Sequence, residues 1–357
     1  MAGIRSLNVR AVRVPMPEPH TTASGTIAES PLVLTDLALD DGTIGHSIVF
    51  AYTPLALKPL AELIRNLETL VKGDAAAPLE VEQKLARRFR LLGTQGLIGM
   101  ALAAIDMALW DALARQQSLS LVRLLGGAPK PVPAYGAVGY DGIEGSARVA
   151  ERWARQGITG VKAKIGYPTV ADDIAVVRAM RAAVGPGVAI MVDYNQSLTP
   201  AEAVQRLRTL DDEGLTWVEE PTLAHDYAGH AHIAREVETP IQAGENWWGA
   251  LDLQHALDAQ ATDYIMPDVM KIGGVTGWLR AASLAQPRGL RVSNHLWPEI
   301  SAQLLSVTPN AHWLEYADWW NPILVQPLEI ERGLAQTADR PGSGIEWNEV
   351  AIAKLAL

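Results

Sequence analysis

The sequence predicts an α/β protein: a parallel β/α barrel preceded by a smaller α+β domain. Three observations point there. After Pro131, eight short apolar segments alternate with helical stretches of a dozen or so residues, and eight is the strand count of a parallel barrel. Over roughly the first 125 residues the order differs, strands first and helices after, as in a separate α+β unit. Polar residues able to do chemistry recur at the carboxyl ends of the barrel segments, where strand ends converge on one mouth.

In chain order, Val9–Val14, Leu32–Leu39 and Gly45–Ala51 read as strands, with Asp40-Asp41-Gly42 as the hairpin turn between the last two. Pro59–Val71 and Leu79–Leu91 read as helices, Pro59 suiting a first helical position. Gly96–Gln117 is a long apolar-rich helix that ends before the turn signal Gly126-Gly127. The barrel strands are expected at Val132–Val138, Gly160–Ile165, Val188–Tyr194, Thr216–Glu219, Pro240–Gly244, Asp263–Pro267, Arg291–Asn294 and His312–Glu315. The connection after the first is atypical, though Ser146–Gln156 is helical in pattern. The tail, Leu328–Leu357, is interrupted by Pro341-Gly342-Ser343-Gly344 and is expected to pack back on the first domain. The expected boundaries are 1–125 for the N-terminal domain, 126–327 for the barrel and 328–357 for the tail segment.

Bulk composition narrows the function classes. The chain has 357 residues, 48% hydrophobic and 20% charged, an ordinary globular balance for one barrel with an added domain. Its net charge of −10 argues against nucleic acid or an anionic membrane as partner. There is no cysteine, so disulfides and thiolate ligands are excluded, and any metal must be held by oxygen or imidazole. Met1–Pro15 lacks a signal-peptide pattern, and the longest apolar stretches are broken by charge, so a cytoplasmic location is expected.

The strand ends carry the chemistry. Asp193, Glu219 and Glu245 are spaced by 26 residues, from 193 to 219 and again from 219 to 245. That is one β/α unit each, so the three become neighbours around the barrel. Converging carboxylates repel unless a cation compensates, and oxygen-only ligands favour Mg²⁺. The bland alternative is that each acid caps the helix that follows. Lys162 and Lys164 are two apart in a strand and point to one face, into the mouth. Beside each other and a divalent cation they should lower each other's pKa, which suits one as a base. Asp268 and His295 end adjacent strands; a carboxylate on one imidazole nitrogen fixes the tautomer and leaves the other to move protons. Glu315 closes the ring, either salt-bridged to a cation or protonated and donating to developing oxyanion charge.

These residues, as Lys162-Ala163-Lys164, Asp193-Tyr194-Asn195, Glu219-Glu220-Pro221, Gly244-Glu245-Asn246, the run Pro267–Gly274, His295 and Glu315, together resemble the mandelate racemase subgroup of the enolase superfamily. Ala104–Asp111 resembles the superfamily's pattern outside the barrel. The resemblance implies an N-terminal α+β capping domain on a modified (β/α)7β barrel. It implies Asp193, Glu219 and Glu245 as ligands of one Mg²⁺ per subunit, with Mn²⁺ able to substitute. Lys164 would serve one face of the substrate and His295, oriented by Asp268, the other. Lys162 would neutralise the substrate carboxylate, Glu315 would donate to it opposite the metal, Asn195 would lie near the 2-hydroxyl, and Lys271 would support the ligands from behind. A homo-oligomer, an octamer, is implied as well.

The pocket departs from the family's pattern. His20-Thr21-Thr22-Ala23-Ser24-Gly25-Thr26-Ile27 stands in place of the specificity loop, with His20 and Ser24 at apolar positions. Ala137 and Ala317 replace a serine and a larger aliphatic residue, while Tyr52 and Leu296 agree. His20, Ser24, Tyr52 and Leu296 are thus expected at the substrate, and a ligand with a polar group beyond C2 suits them, with extra room on the Ala317 side. The leading expectation is racemisation or epimerisation of a 2-hydroxycarboxylate through an enediolate. Acid-sugar dehydration is the alternative, and a non-catalytic Mg²⁺-dependent binding protein a third, disfavoured because binding needs neither base.

Overall fold

Alternating apolar residues build a three-stranded antiparallel sheet, β1 (Ile4–Thr22), β2 (Gly25–Leu39) and β3 (Ile44–Phe50), in the computed structural model, which describes residues 2–22 and 25–357. The Asp40–Gly42 turn joins β2 to β3 as expected. β1 and β2 run far beyond their expected bounds. Their register breaks between Pro15 and His20, then resumes with His20 opposite Ile27 and Thr21 opposite Thr26. The segment expected as a loop from His20 to Ile27 is therefore a hairpin end. Ala23 and Ser24 lie outside the described residues.

Helices α1 (Pro54–Val71), α2 (Pro78–Arg88), α3 (Gly96–Gln116) and the short α4 (Leu121–Leu124) cover that sheet and lead to the barrel. α1 starts five residues earlier than expected. Thr53 caps it, its side chain accepting from Leu55 N, and Pro54 takes the first position. Pro59 is inside the helix; the buried stripe Leu57, Leu60, Ile64, Leu67, Val71 outweighs the bond it forgoes. α2 stops at Arg88, leaving Leu91 and Leu92 exposed. α3 corrects another expectation: it is long and apolar enough to cross a membrane by length and composition, its charges notwithstanding. In the fold 72% of that stretch is buried inside the protein.

Eight parallel strands follow, each of the first seven with a helix after it. They are β4 (Val132–Val138), α5 (Gly142–Arg155), β5 (Gly160–Lys164), α6 (Val170–Val184), β6 (Ala189–Asp193), α7 (Pro200–Leu210), β7 (Val218–Glu219), α8 (Tyr227–Glu236), β8 (Ile241–Ala243), α9 (Gly249–Asp258), β9 (Tyr264–Ile265), α10 (Gly274–Ala285), β10 (Arg291–Val292), α11 (Pro298–Val307) and β11 (Leu314–Tyr316). β11 pairs with β4, and backbone bonds from Val292 N to Asn310 O and from His312 N to Val292 O close the ring. The architecture is a (β/α)7β barrel with an α+β cap. The tail adds the hairpin β12 (Glu329–Glu331) and β13 (Leu334–Gln336), which pairs antiparallel with β4, and α12 (Glu349–Leu355). It touches the first sheet too, through Leu357 N on Ala11 O and Arg10 on Glu349.

Large side chains fill this core. Trp153, Trp217, Trp247, Trp278 and Trp320 are fully buried, which is where a chain with eleven Trp and two Phe spends its tryptophan. Tyr135, Met191 and Trp217 form a separate apolar layer inside the barrel, beneath Lys162.

Candidate active site

The strand register sets the site. Lys164 lies beside Asp193, and Asp193 beside Glu219, on β5, β6 and β7. Glu245 follows β8 through Gly244, whose φ of 141° and close approach to Met266 suit only glycine. The three carboxylates bring ligand oxygens within 4.8 Å of one another, all buried. They are not helix caps: Thr199, Asp226 and Trp248 hold the N-cap positions of α7, α8 and α9, the helices that follow them. Buried, clustered oxygen donors of this charge fit a hard divalent cation. Glu245 Oε2 is buried with no hydrogen-bond partner, as a ligand atom would be.

The cations sit around this cluster. Lys162 Nζ bonds Glu219, lies 2.9 Å from Glu315 Oε1 and 3.8 Å from Asp193 Oδ2. Lys164 Nζ bonds Asp193. Burial works against both charges, yet the carboxylates win: Glu219 and Glu315 hold Lys162 well above its usual pKa, and Asp193 raises Lys164. The expected mutual lowering is present only as the smaller Lys162 contribution at Lys164; it presupposed a cation neutralising the acids. Burial pushes Glu219 up, against Lys162. Burial also opposes charge on Glu245, but His295 and then Lys164 hold it below the carboxylate range.

His295 Nδ1 lies 2.7 Å from Asp268 Oδ2, and its Nε2 lies 3.4 Å from Glu245 Oε2. Burial opposes its charge, while Glu245 and Asp268 raise its pKa. The other Asp268 oxygen accepts from the Met270 and Lys271 amides and from Trp297 Nε1. Glu315 accepts from Leu296 N at 2.9 Å and faces Lys162.

The remaining expected residues divide. Asn195 donates from its backbone and side chain to Asp193, leaving Oδ1 buried and unpartnered. Lys271 donates to Asn246 Oδ1 at 2.6 Å, and Asn246 donates to Glu220 and Glu245, a relay behind the ligands. Tyr52 Oη reaches Asp268 at 3.5 Å, with Lys271 over its ring. His20 packs against Trp319, its ring centroid 4.8 Å away. Burial and then Lys164 and Lys162 lower its pKa to about 3, which favours the neutral imidazole. Ala137 is half-buried, its carbonyl taken by Trp153. Ala317 is fully buried in the continuous apolar core. Ser24 lies outside the described residues.

Sequence reasoning missed several participants. Trp217 and Gln242 donate to Glu219 Oε2 at 3.3 and 3.4 Å, tying down one oxygen from inside the barrel. Trp217 had a signal: it stands two before Glu219 and shares its face. Glu220 stood in the run Glu219-Glu220-Pro221 without a role, and Trp297 and Trp319 had no signal. Tyr52, Asn195, Gln196, Glu220, Leu296 and Trp297 all have left-handed φ between 38° and 65°. Side chains held there cost roughly 1–2 kcal/mol each, and such strain gathers at functional sites.

Residues 4–126 match the N-terminal domain of the mandelate racemase / muconate lactonizing enzyme family, and residues 145–351 match the enolase C-terminal domain-like family. L-talarate/galactarate dehydratase of Salmonella typhimurium is 32% identical over 91% of this chain and 82% of its own. An enolase from Bradyrhizobium, solved with magnesium and mandelic acid, is 44% identical over 100% of this chain and 99% of its own, with a TM-score of 0.95. A racemase from Streptomyces coelicolor, solved with bound magnesium, is 27% identical over 99% of this chain and 100% of its own, with a TM-score of 0.93. Matched on both domains and carrying the buried triad Asp193, Glu219 and Glu245, the chain belongs to the mandelate racemase subgroup of the enolase superfamily.

Proposed function

We propose that this enzyme is a Mg²⁺-dependent racemase or epimerase, which removes and returns the proton at C2 of a 2-hydroxycarboxylate. One observation carries the reading. Lys164 adjoins Asp193 and His295 adjoins Glu245, so two proton-carrying groups flank opposite ends of one carboxylate triad. A substrate carboxylate over the triad would present one face of C2 to each.

The proton is weakly acidic because its removal puts a second negative charge on the carboxylate, giving an enediolate. Bound at the triad, Mg²⁺ (or Mn²⁺) would supply Lewis-acid stabilisation of that charge. Lys162 supplies a fixed positive charge beside it, and Glu315 the hydrogen bond across from it when protonated. With Asp193 committed to the cation, the pairing that raises Lys164 would weaken; the neutral amine takes the proton from one face, and the His295 imidazolium returns one to the other, the reverse turnover exchanging the roles. Asp268 holds His295 in the tautomer whose Nε2 faces the substrate. Lys162 at 1% exposure and the buried triad keep water from competing for these contacts.

A second reading, acid-sugar dehydration, is favoured by the Salmonella dehydratase and by the polar residue His20 in the segment expected at the substrate. It begins with the same proton abstraction. His295 then donates its proton to the 3-hydroxyl, which leaves as water. The Bradyrhizobium protein's mandelic acid complex supports the first reading.

A panel of mandelate, polar 2-hydroxy acids and sugar acids, incubated with enzyme and Mg²⁺ in D₂O, separates them. Racemisation predicts solvent deuterium at C2 with inversion. A 2-keto-3-deoxy acid as the product supports dehydration. Absence of both from every acid contradicts α-proton chemistry.

A further inference from the structure

Asp106 belongs to α3, far along the chain from the barrel site, and is 5% exposed. Its carboxylate is committed to the start of α10. Oδ2 accepts from Thr276 N at 3.0 Å, Oδ1 from the Thr276 hydroxyl at 2.5 Å, and the Val275 amide also bonds it. Trp110, one turn further along α3, donates its indole N–H to that same hydroxyl at 2.9 Å. These amides are among the first of a helix, which have no partners within it. α10 supplies no cap of its own, because its N-cap is Gly273, at φ 102°. Gly274 comes so close that a Cβ there would overlap the Asp106 carboxylate.

The loop between β9 and α10 is the one that carries Asp268 and Lys271. Inside it, Ile272 N bonds Asp268 O and Gly274 N bonds Val269 O. The amides of Met270 and Lys271 fix Asp268 Oδ1 at 2.7 and 3.1 Å, while Oδ2 holds His295. One end of this loop is anchored in the barrel sheet by β9. The other is anchored by Asp106 from the cap. Lys164 lies across the triad on β5, paired to Asp193 of β6.

We propose that Asp106 is a positioning residue for the His295 half of the site: it seats the start of α10, which seats the amides that aim Asp268 at His295. This rests on the two-base reading above. It makes cap docking a condition for one of the two proton transfers and not for the other.

The test reads solvent-deuterium exchange at C2 of each substrate enantiomer, with Mg²⁺, in wild type, Asp106→Ala, Asp106→Asn and Thr276→Val. The Lys164→Ala and His295→Asn variants assign which enantiomer each base serves. Assays run at pH 8, because burial pushes the Asp106 carboxyl up to about 7 against the pull of its Thr276 donors, with Glu82 adding to the rise. Asp106→Ala should slow exchange through His295 by about 10- to 100-fold, the scale of a small misplacement of a catalytic group, and leave exchange through Lys164 within about twofold. Asp106→Asn, whose amide oxygen still accepts from Thr276 N, should recover much of the loss. Thr276→Val, which loses the hydroxyl contacts but keeps the backbone one, should give a smaller fall confined to the same enantiomer, and serves as the test if Asp106→Ala does not fold. An equal fall for both enantiomers, or none, in the folded variants overturns the proposal. Wild type exchanging only one enantiomer would instead count against the two-base reading.

Discussion

At the residue scale, the charges of the site make sense only as a set. Glu219 is pushed up by burial, Glu245 is held down by His295, and Lys162 is held charged by Glu219 and Glu315. Glu219→Gln removes one negative charge from a cation site while keeping its shape. It should fold normally and weaken Mg²⁺ affinity by more than the roughly 10- to 100-fold typical of losing a group behind the ligands. Trp217→Phe, which removes the donor at 3.3 Å from Glu219 Oε2, should fall within that smaller range. Titration of Mg²⁺ by calorimetry on substrate-free protein checks both, and unchanged affinity in Glu219→Gln would remove Glu219 from the ligand set. The acids were legible because their spacing equals one β/α unit and the crowding of three carboxylates needs a cation. Trp297 was not: its indole reaches Asp268 only because Leu296 and Trp297 turn left-handed, and no local sequence preference announces that.

At the element scale, all eight barrel strands fell where alternation and turn residues put them, the first to the residue and the others with one or both ends displaced by one or two residues. Strand ends in a barrel are set by where neighbours stop pairing, which periodicity does not reveal. The long hairpin was missed for a different reason. Pro15, Pro17 and Pro19 look like a loop, since proline cannot donate to a ladder. β1 is an edge strand with an irregular register over that segment, so the missing donors are tolerated. The first helix shows the same limit. Pro54, not Pro59, fills the first position, and Pro59 interrupts the helix interior. Pro59→Ala restores an N–H for the Leu55 carbonyl and should stabilise the protein by about 1–3 kcal/mol, somewhat offset by a freer unfolded chain. A urea midpoint that falls in this variant would show that the ring's packing outweighs the lost bond.

For the whole molecule, buried groups couple the fold to pH. His230 is fully buried on α8, its Nε2 3.2 Å from Thr222 O, and burial lowers its pKa to about 4. Below the free value of about 6.5 the unfolded chain takes up a proton that the folded chain refuses. Stability from this group is complete above about pH 6.5 and drains away as pH falls toward 4, by about 3 kcal/mol. His230→Gln, which keeps a donor, should flatten that part of the stability–pH curve in chemical unfolding. An unchanged slope would mean that His230 titrates normally in the fold. The sequence revealed the cap, the barrel and their order, but the contacts joining them, such as Asp106 on Thr276, depend on where α3 lies over α10. No periodicity within either element encodes that meeting. The central claim is that two groups on opposite flanks of the triad move one proton at C2. Its most direct test is enantiomer-resolved deuterium exchange in Lys164→Ala and His295→Asn with Mg²⁺ present. The account predicts that each variant keeps exchange from one enantiomer and loses it from the other, with opposite preferences. Wild-type exchange of both enantiomers in either variant would contradict it.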